Sequence, residues 1–161
     1  MSSPGTSRVQ AVIDRLDLDA ELISTPQGVP TVEAAAAALG VAADRIIKTL
    51  VFIGPAGELV VAIACGADKV DRHKLAEAAS LPKVRIASPE DVLSTTGYPA
   101  GGVAPIDLPE DAIVVVDAAV AGQAELYGGS GDDLHMLRIQ SADIVRLNRA
   151  IIARILRDPA P

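Results

Sequence analysis

The sequence predicts an α+β (mixed α/β) domain, a mixed, mainly antiparallel, partly barrel-like sheet surrounded by helices. Two β-branched runs, Ile47–Ile53 and Leu59–Cys65, flank Gly54-Pro55-Ala56-Gly57, a hairpin signal that makes the pairing antiparallel. Apolar residues at helical spacing, such as Val9, Val12, Ile13 and Leu16, supply amphipathic helices to cover a sheet. Neither Gly-x-Gly-x-x-Gly between a strand and a helix nor Gly-x-x-x-x-Gly-Lys-Ser/Thr occurs, which argues against a doubly wound nucleotide fold.

Taken in order, Thr6 to Leu18 reads as a helix and Glu21 to Ser24 as a short strand ended by the Pro26-Gln27-Gly28 turn. Thr31 caps a second helix, which runs through five alanines to Gly40, a glycine suited to a left-handed C-cap. Ala43 to Ile46 adds one turn before the hairpin. Asp71 to Ser80 is helical, Val84 to Ala87 is a strand, and Ser88-Pro89-Glu90-Asp91 opens another helix with proline near its first turn. Tyr98 to Pro105 is a loop rich in glycine and proline. Ile113 to Val116 is a strand, and Val120 to Ala124 a loop or short helical turn. Glu125 to Gly128 and Leu134 to Ile139 pair around a glycine-rich tip. Ser141-Ala142-Asp143 caps a last helix reaching about Leu156. The order is α, β, α, β, β, α, β, α, loop, β, β, β, α.

The 161 residues fit one domain, 1–161, with soft ends near 1–6 and 158–161. Half of them are hydrophobic but only 2% aromatic (Phe52, Tyr98 and Tyr127), so the core is aliphatic. Collagen-like, disulfide-rich and disordered classes fail on composition. A zinc ribbon fails because Cys65 is the only cysteine and His73 and His135 the only histidines. The start carries no signal-peptide pattern and no apolar run approaches the roughly 20 residues of a membrane span, so a cytoplasmic protein without membrane contact is expected. The net charge of −7 argues against broad, charge-driven nucleic-acid binding while leaving room for a local basic patch.

Three features carry chemistry. Lys48 opens an apolar run; it is either a snorkelling lysine on an edge strand or a cation aimed into a cleft, holding phosphate or polarising a carbonyl. Gly97-Tyr98-Pro99-Ala100-Gly101-Gly102-Val103-Ala104-Pro105 is either a plain connection or a loop whose glycines let main-chain N–H groups approach a ligand carbonyl. His135 is a structural histidine, a ligand-orienting group or a base near neutral pH. Cys65 reads as buried and inert, and His73 as surface.

Taken together these residues resemble the YbaK and prolyl-tRNA-editing family, which includes the insertion domain of bacterial prolyl-tRNA synthetases and free-standing homologues. The resemblance runs over roughly residues 20 to 148. It rests on Ile46-Ile47-Lys48-Thr49-Leu50-Val51-Phe52, on Gly101-Gly102-Val103-Ala104-Pro105, and on Gly128-Gly129-Ser130-Gly131 followed by His135-Met136-Leu137-Arg138-Ile139. It implies a deacylase acting in trans on mischarged tRNA, most aptly tRNA for proline carrying a small non-cognate amino acid, with no cofactor. The alternative is a non-catalytic module that binds an aminoacyl or nucleotide group and docks on a synthetase. On the resemblance, Lys48 is the family's cleft lysine and His135 a substrate-positioning residue; these two are the expected catalytic residues. Thr49, Gly101, Gly102, Val103, Ala104, Pro105, Gly129 and Ser130 would bind the 3′-terminal adenosine and aminoacyl group. The expected partners are mischarged tRNA, bound weakly through its 3′ end, and an aminoacyl-tRNA synthetase.

An aminoacyl ester is already activated, so positioning, carbonyl polarisation and a water suffice. The N–H groups of Gly101-Gly102 are the expected oxyanion donors. Two departures from the family pattern stand out. No tyrosine lies near Leu22 to Thr25, which weakens a cysteine substrate, and the acidic Gly131-Asp132-Asp133 tip is expected to discourage tight tRNA contact there.

Overall fold

The structure, a computed structural model, describes residues 3–159; Met1, Ser2, Ala160 and Pro161, parts of the ends expected to be soft, lie outside the described residues. Helix α1 (Pro4–Leu16) begins two residues earlier than the sequence pattern indicates, because Ser3 accepts the Thr6 N–H at 3.1 Å and proline occupies the first turn. Strand β1 (Glu21–Ser24) follows, then α2 (Val32–Leu39), with Thr31 as N-cap and Gly40 left-handed at its end. A single 3-10 turn, Ala43–Arg45, leads into the hairpin of β2 (Ile47–Ile53) and β3 (Leu59–Cys65). Beyond them come α3 (Arg72–Ala78), β4 (Arg85–Ile86) and α4 (Pro89–Thr96). The last third holds β5 (Ile113–Asp117), α5 (Ala118–Ala121), β6 (Glu125–Gly128), β7 (His135–Gln140), α6 (Ser141–Asn148) and β8 (Ile151–Ala153).

The strands form two sheets, β1-β7-β6 and β4-β2-β3-β5-β8. The first is antiparallel; in the second, β3-β5 and β5-β8 run parallel. This is the mixed α+β class the sequence predicts. The sheets stay open, however: the barrel-like element is an isolated bridge between Ile46 and Tyr127 that brings the two sheets together. Strand β3 is buried along its whole length, as expected of a central strand covered on both faces.

The last helix stops at Asn148 instead of continuing to Leu156. Arg149 takes a left-handed conformation (φ 48°), and Ile151–Ala153 adds a parallel edge strand beside β5. Ile144, Leu147, Ile151 and Ile155 are spaced by three and four residues, a pattern that one long helix and a helix–turn–strand satisfy equally.

Alternation along β2 separates two cores. Ile47, Val51 and Ile53 join the larger core, with α1, Leu126, Leu137 and Ile139. Leu50 and Phe52 join a second core under Leu75 of α3. Thr49 therefore shares the face of Ile47, and Lys48 the face of Leu50. Among the described residues, no helix is long and apolar enough to cross a membrane.

Candidate functional site

The loop after α4 is held at both ends. Tyr98 is fully buried, its hydroxyl donates to Ile106 O at 2.9 Å, and Arg8 of α1 lies 4.1 Å over its ring. Burial raises the phenol well above its ordinary pKa, so it remains a donor. At the far end, Asn148 Nδ2 donates to Pro105 O at 2.7 Å. Between these anchors the Gly102 N–H closes a turn onto Pro99 O at 2.9 Å. Of the two expected oxyanion donors, Gly102 is thus already committed. Gly101 is exposed, with φ +83°, and a Cβ there would meet nothing within 4 Å, so its surroundings are open to a ligand.

The second glycine segment packs against this loop. Gly131 N–H donates to Gly102 O at 2.8 Å, and a Cβ on Gly129 would stand only 2.2 Å from Val103 O. Gly128 meets Ile47 of β2 on its other side, where its Cβ would lie 2.5 Å from Ile47 Cγ1. Ser130 is fully buried and donates to His135 O at 2.8 Å. The two glycine segments, separated in sequence by the whole of β5, α5 and β6 but adjacent in space, therefore meet next to the start of β7.

His135 projects from that start. Its Nδ1 lies 3.0 and 3.1 Å from the two carboxylate oxygens of Asp132. Burial works against the charged Asp132. Hydrogen bonds from Thr6 Oγ1, Leu134 N–H, His135 and Ser3 Oγ outweigh it and hold the carboxyl well below the usual carboxylate range. With Asp132 ionised, His135 Nδ1 donates to its carboxylate, which fixes the ring and leaves Nε2 as the ring nitrogen available to a ligand or a water. Asp132 is thus turned inward, and of the acidic pair only Asp133 is exposed.

Two hydroxyls, Thr49 Oγ1 and Thr25 Oγ1, are buried without a hydrogen-bond partner among the described residues. Thr25 N–H donates to Leu134 O at 2.8 Å, one residue from His135. Lys48 Nζ donates to Gly66 O at 3.2 Å and also to Asp68 O. Desolvation lowers its pKa, partly offset by the charges of Asp68, Cys65 and Glu33. An ammonium has three donors, so one remains for a ligand. By strand alternation, Lys48 lies across β2 from Ile47 and the glycine segments.

The structure therefore brings Gly101, Gly102, Val103, Gly129, Ser130 and His135 together, with Pro105 anchoring the loop. Gly102, Val103, Ala104, Pro105 and Ser130 are buried and shape the site, whereas Lys48, Thr49, Gly101, Gly129 and His135 retain accessible surface. Sequence reasoning missed Asp132, Thr6 and Thr25. Asp132, three residues before His135, was the available signal; Thr25 was visible only as part of a turn.

Fold and site define a small mixed α+β domain that gathers a carboxylate-held histidine and two glycine segments at the junction of two sheets. A family model for the aminoacyl-tRNA editing domain matches residues 26–147, and the chain belongs to that family. It is 33% identical over 129 residues to a proline–tRNA ligase of Pelobacter propionicus, covering 78% of this chain and 22% of the ligase. It is 38% identical over 90 residues to YwhH, an uncharacterised protein of Bacillus subtilis, covering 56% of this chain and 57% of YwhH. A solved structure of a candidate trans-editing enzyme for prolyl tRNA synthetase superposes with a TM-score of 0.87 at 26% identity, covering 98% of this chain and 100% of that one. The chain thus spans about a fifth of the ligase and little more than half of YwhH.

Proposed function

We propose that this domain is a trans-acting deacylase that hydrolyses the ester of a mischarged tRNA, with tRNA for proline carrying a small non-cognate amino acid as the favoured substrate. Membership of the editing family supports the reaction class, and similarity to proline–tRNA ligases supports the choice of tRNA. The observation that carries the reading is His135, held by Asp132 beside the open Gly101 turn.

In this reading, water attacks the ester carbonyl carbon, the bond from that carbon to the ribose oxygen breaks, and the ribose oxygen takes up a proton. His135 Nε2 orients the water or the substrate's α-amino group. The Gly101 turn receives the 3′-terminal adenosine and the carbonyl. Lys48, on the other face of β2 from the glycine segments and with one N–H free, is assigned to binding the nucleic acid away from the reacting carbonyl. Specificity in this reading follows from the size of the open space at the Gly101 turn, since excluding a larger side chain by contact is easier than excluding a smaller one.

The test is a deacylation panel: tRNA for proline charged separately with alanine, serine, cysteine and proline, assayed with the unaltered protein, His135→Ala and Lys48→Ala. The expected result is rapid loss of one non-cognate amino acid, a fall in kcat on the order of 10²-fold for His135→Ala, as for loss of a positioning group, and a rise in KM for Lys48→Ala. A specific observation favours a rival, non-catalytic binding module: the Gly102 N–H is committed to Pro99 O, which removes one of the two expected oxyanion donors. That reading predicts saturable binding of an aminoacyl-adenosine analogue with no turnover across the panel.

A further inference from the structure

An open cleft of about 560 Å³ lies away from the glycine segments, lined by Ile53, Gly54, Pro55, Gly57, Arg72, Lys83, Val84 and Arg85. Its charged lining is entirely cationic, in a chain whose net charge is −7. All three cations are exposed. Among the described residues Arg72 and Lys83 form no ion pair, and Arg85 only approaches Asp91 at 3.7 Å between two exposed side chains. Glu58 of the hairpin lies against Gly54 and accepts the Ala56 N–H at 2.7 Å, so its carboxylate is engaged by the turn itself. Three chain segments, the start of α3, the β2–β3 turn and the approach to β4, thus converge on one place where the local sign opposes that of the whole molecule.

Ile47 touches the glycine segments, and Ile53, six residues on, lines the cleft. At about 3.3 Å per residue the two ends of β2 stand roughly 20 Å apart. A stacked nucleic-acid strand carries one phosphate per roughly 3.4 Å, so this span corresponds to about six nucleotides.

We propose that Arg72, Lys83 and Arg85 form a second contact for the sugar–phosphate backbone of the RNA substrate, about six nucleotides from the ester. This rests on the RNA-directed function proposed above. The cleft supplies affinity and orientation without touching the reacting atoms. Three phosphate contacts contribute about 2–3 to the slope of log Kd against log salt, so raising salt from 50 to 200 mM costs about 20–40-fold in affinity through this cleft.

The test measures binding of fluorescein-labelled uncharged tRNA by anisotropy across that salt range, for the unaltered protein, Arg72→Gln/Lys83→Gln/Arg85→Gln, and Arg72→Lys/Arg85→Lys. Hydrolysis is followed in parallel on full-length aminoacyl-tRNA and on an aminoacylated CCA trinucleotide too short to reach the cleft. Expected are a slope lower by about 2–3 in the glutamine variant, retention of the slope in the lysine variant, a higher KM for full-length substrate and an unchanged rate on the trinucleotide. An unchanged slope, or no salt-dependent binding by the unaltered protein, overturns the proposal. Slope-dependent binding without hydrolysis of any ester would sustain the cleft and remove the deacylase reading; hydrolysis insensitive to the glutamine variant would do the reverse.

Discussion

Replacing Gly129 by alanine tests whether the two glycine segments form one rigid unit. The added Cβ would stand 2.2 Å from Val103 O and 2.9 Å from Val103 C, both backbone atoms. A carbon normally keeps about 3.3 Å or more from a carbonyl oxygen, so one segment must retreat by roughly 1 Å. The neighbouring Gly131 N–H to Gly102 O bond, 2.8 Å long, lies on the same seam and would stretch beyond useful length. Overpacking of this kind costs about 1–3 kcal/mol and the lost hydrogen bond about 0.5–1.5, so Gly129→Ala should lower stability by about 2–4 kcal/mol. Urea unfolding at pH 7 reads this directly. Displacing a positioning loop by about 1 Å also carries a rate penalty on the order of 10²-fold on the proposed reaction. Gly57→Ala serves as the comparison: a Cβ there would meet nothing within 4 Å, and its cost is confined to its positive φ of 86°. A Gly129→Ala protein within 0.5 kcal/mol of the unaltered one would refute the close packing on which the site description depends.

Further expectations concern single groups. Thr49→Val removes a buried hydroxyl that has no partner among the described residues, so stability should hold or rise by up to about 1 kcal/mol while deacylation falls if that hydroxyl meets substrate; a clear loss of stability would mean that it is satisfied in solution. Asp132→Asn should destabilise by about 2 kcal/mol at neutral pH, because a carboxylate with several donors becomes an amide. Since folding depresses the Asp132 pKa, its contribution is complete above the unfolded value of about 3.9 and is lost as pH falls through the folded value. The stability gap between the two proteins should therefore be constant above about pH 5 and close in stronger acid; a gap that widened in acid would contradict the assignment. Tyr98→Phe leaves the Ile106 carbonyl without its 2.9 Å donor and should cost about 1–2 kcal/mol, measured by chemical unfolding.

Elements specified by local chemistry were legible in the sequence. The β2–β3 hairpin, the Thr31 and Gly40 caps of α2 and the Ser88-Pro89 start of α4 each depend on a few adjacent residues. The two glycine segments were also recognisable, and the structure does bring them together. What escaped were features decided by distant partners. Whether Asp132 faces solvent or turns inward depends on Ser3 and Thr6, more than 120 residues earlier in the chain. The burial of Gly102 and Ser130 depends on the opposing segment. Lys48 appears in sequence as a cation in an apolar run, but only the strand's pairing places it across β2 from Ile47. The short β8 was hidden because apolar spacing cannot separate a helix from a helix–turn–strand.

The carboxylate of Asp132 ties the first turn of α1 to His135, and β1 completes the sheet that carries β7. Both α1 and β1 lie before residue 26, where the match to the editing family begins. The segment that the family model matches is consequently narrower than the unit that holds the histidine. A domain transplanted by its family boundaries alone would carry the glycine segments intact and leave behind the brace that sets the imidazole.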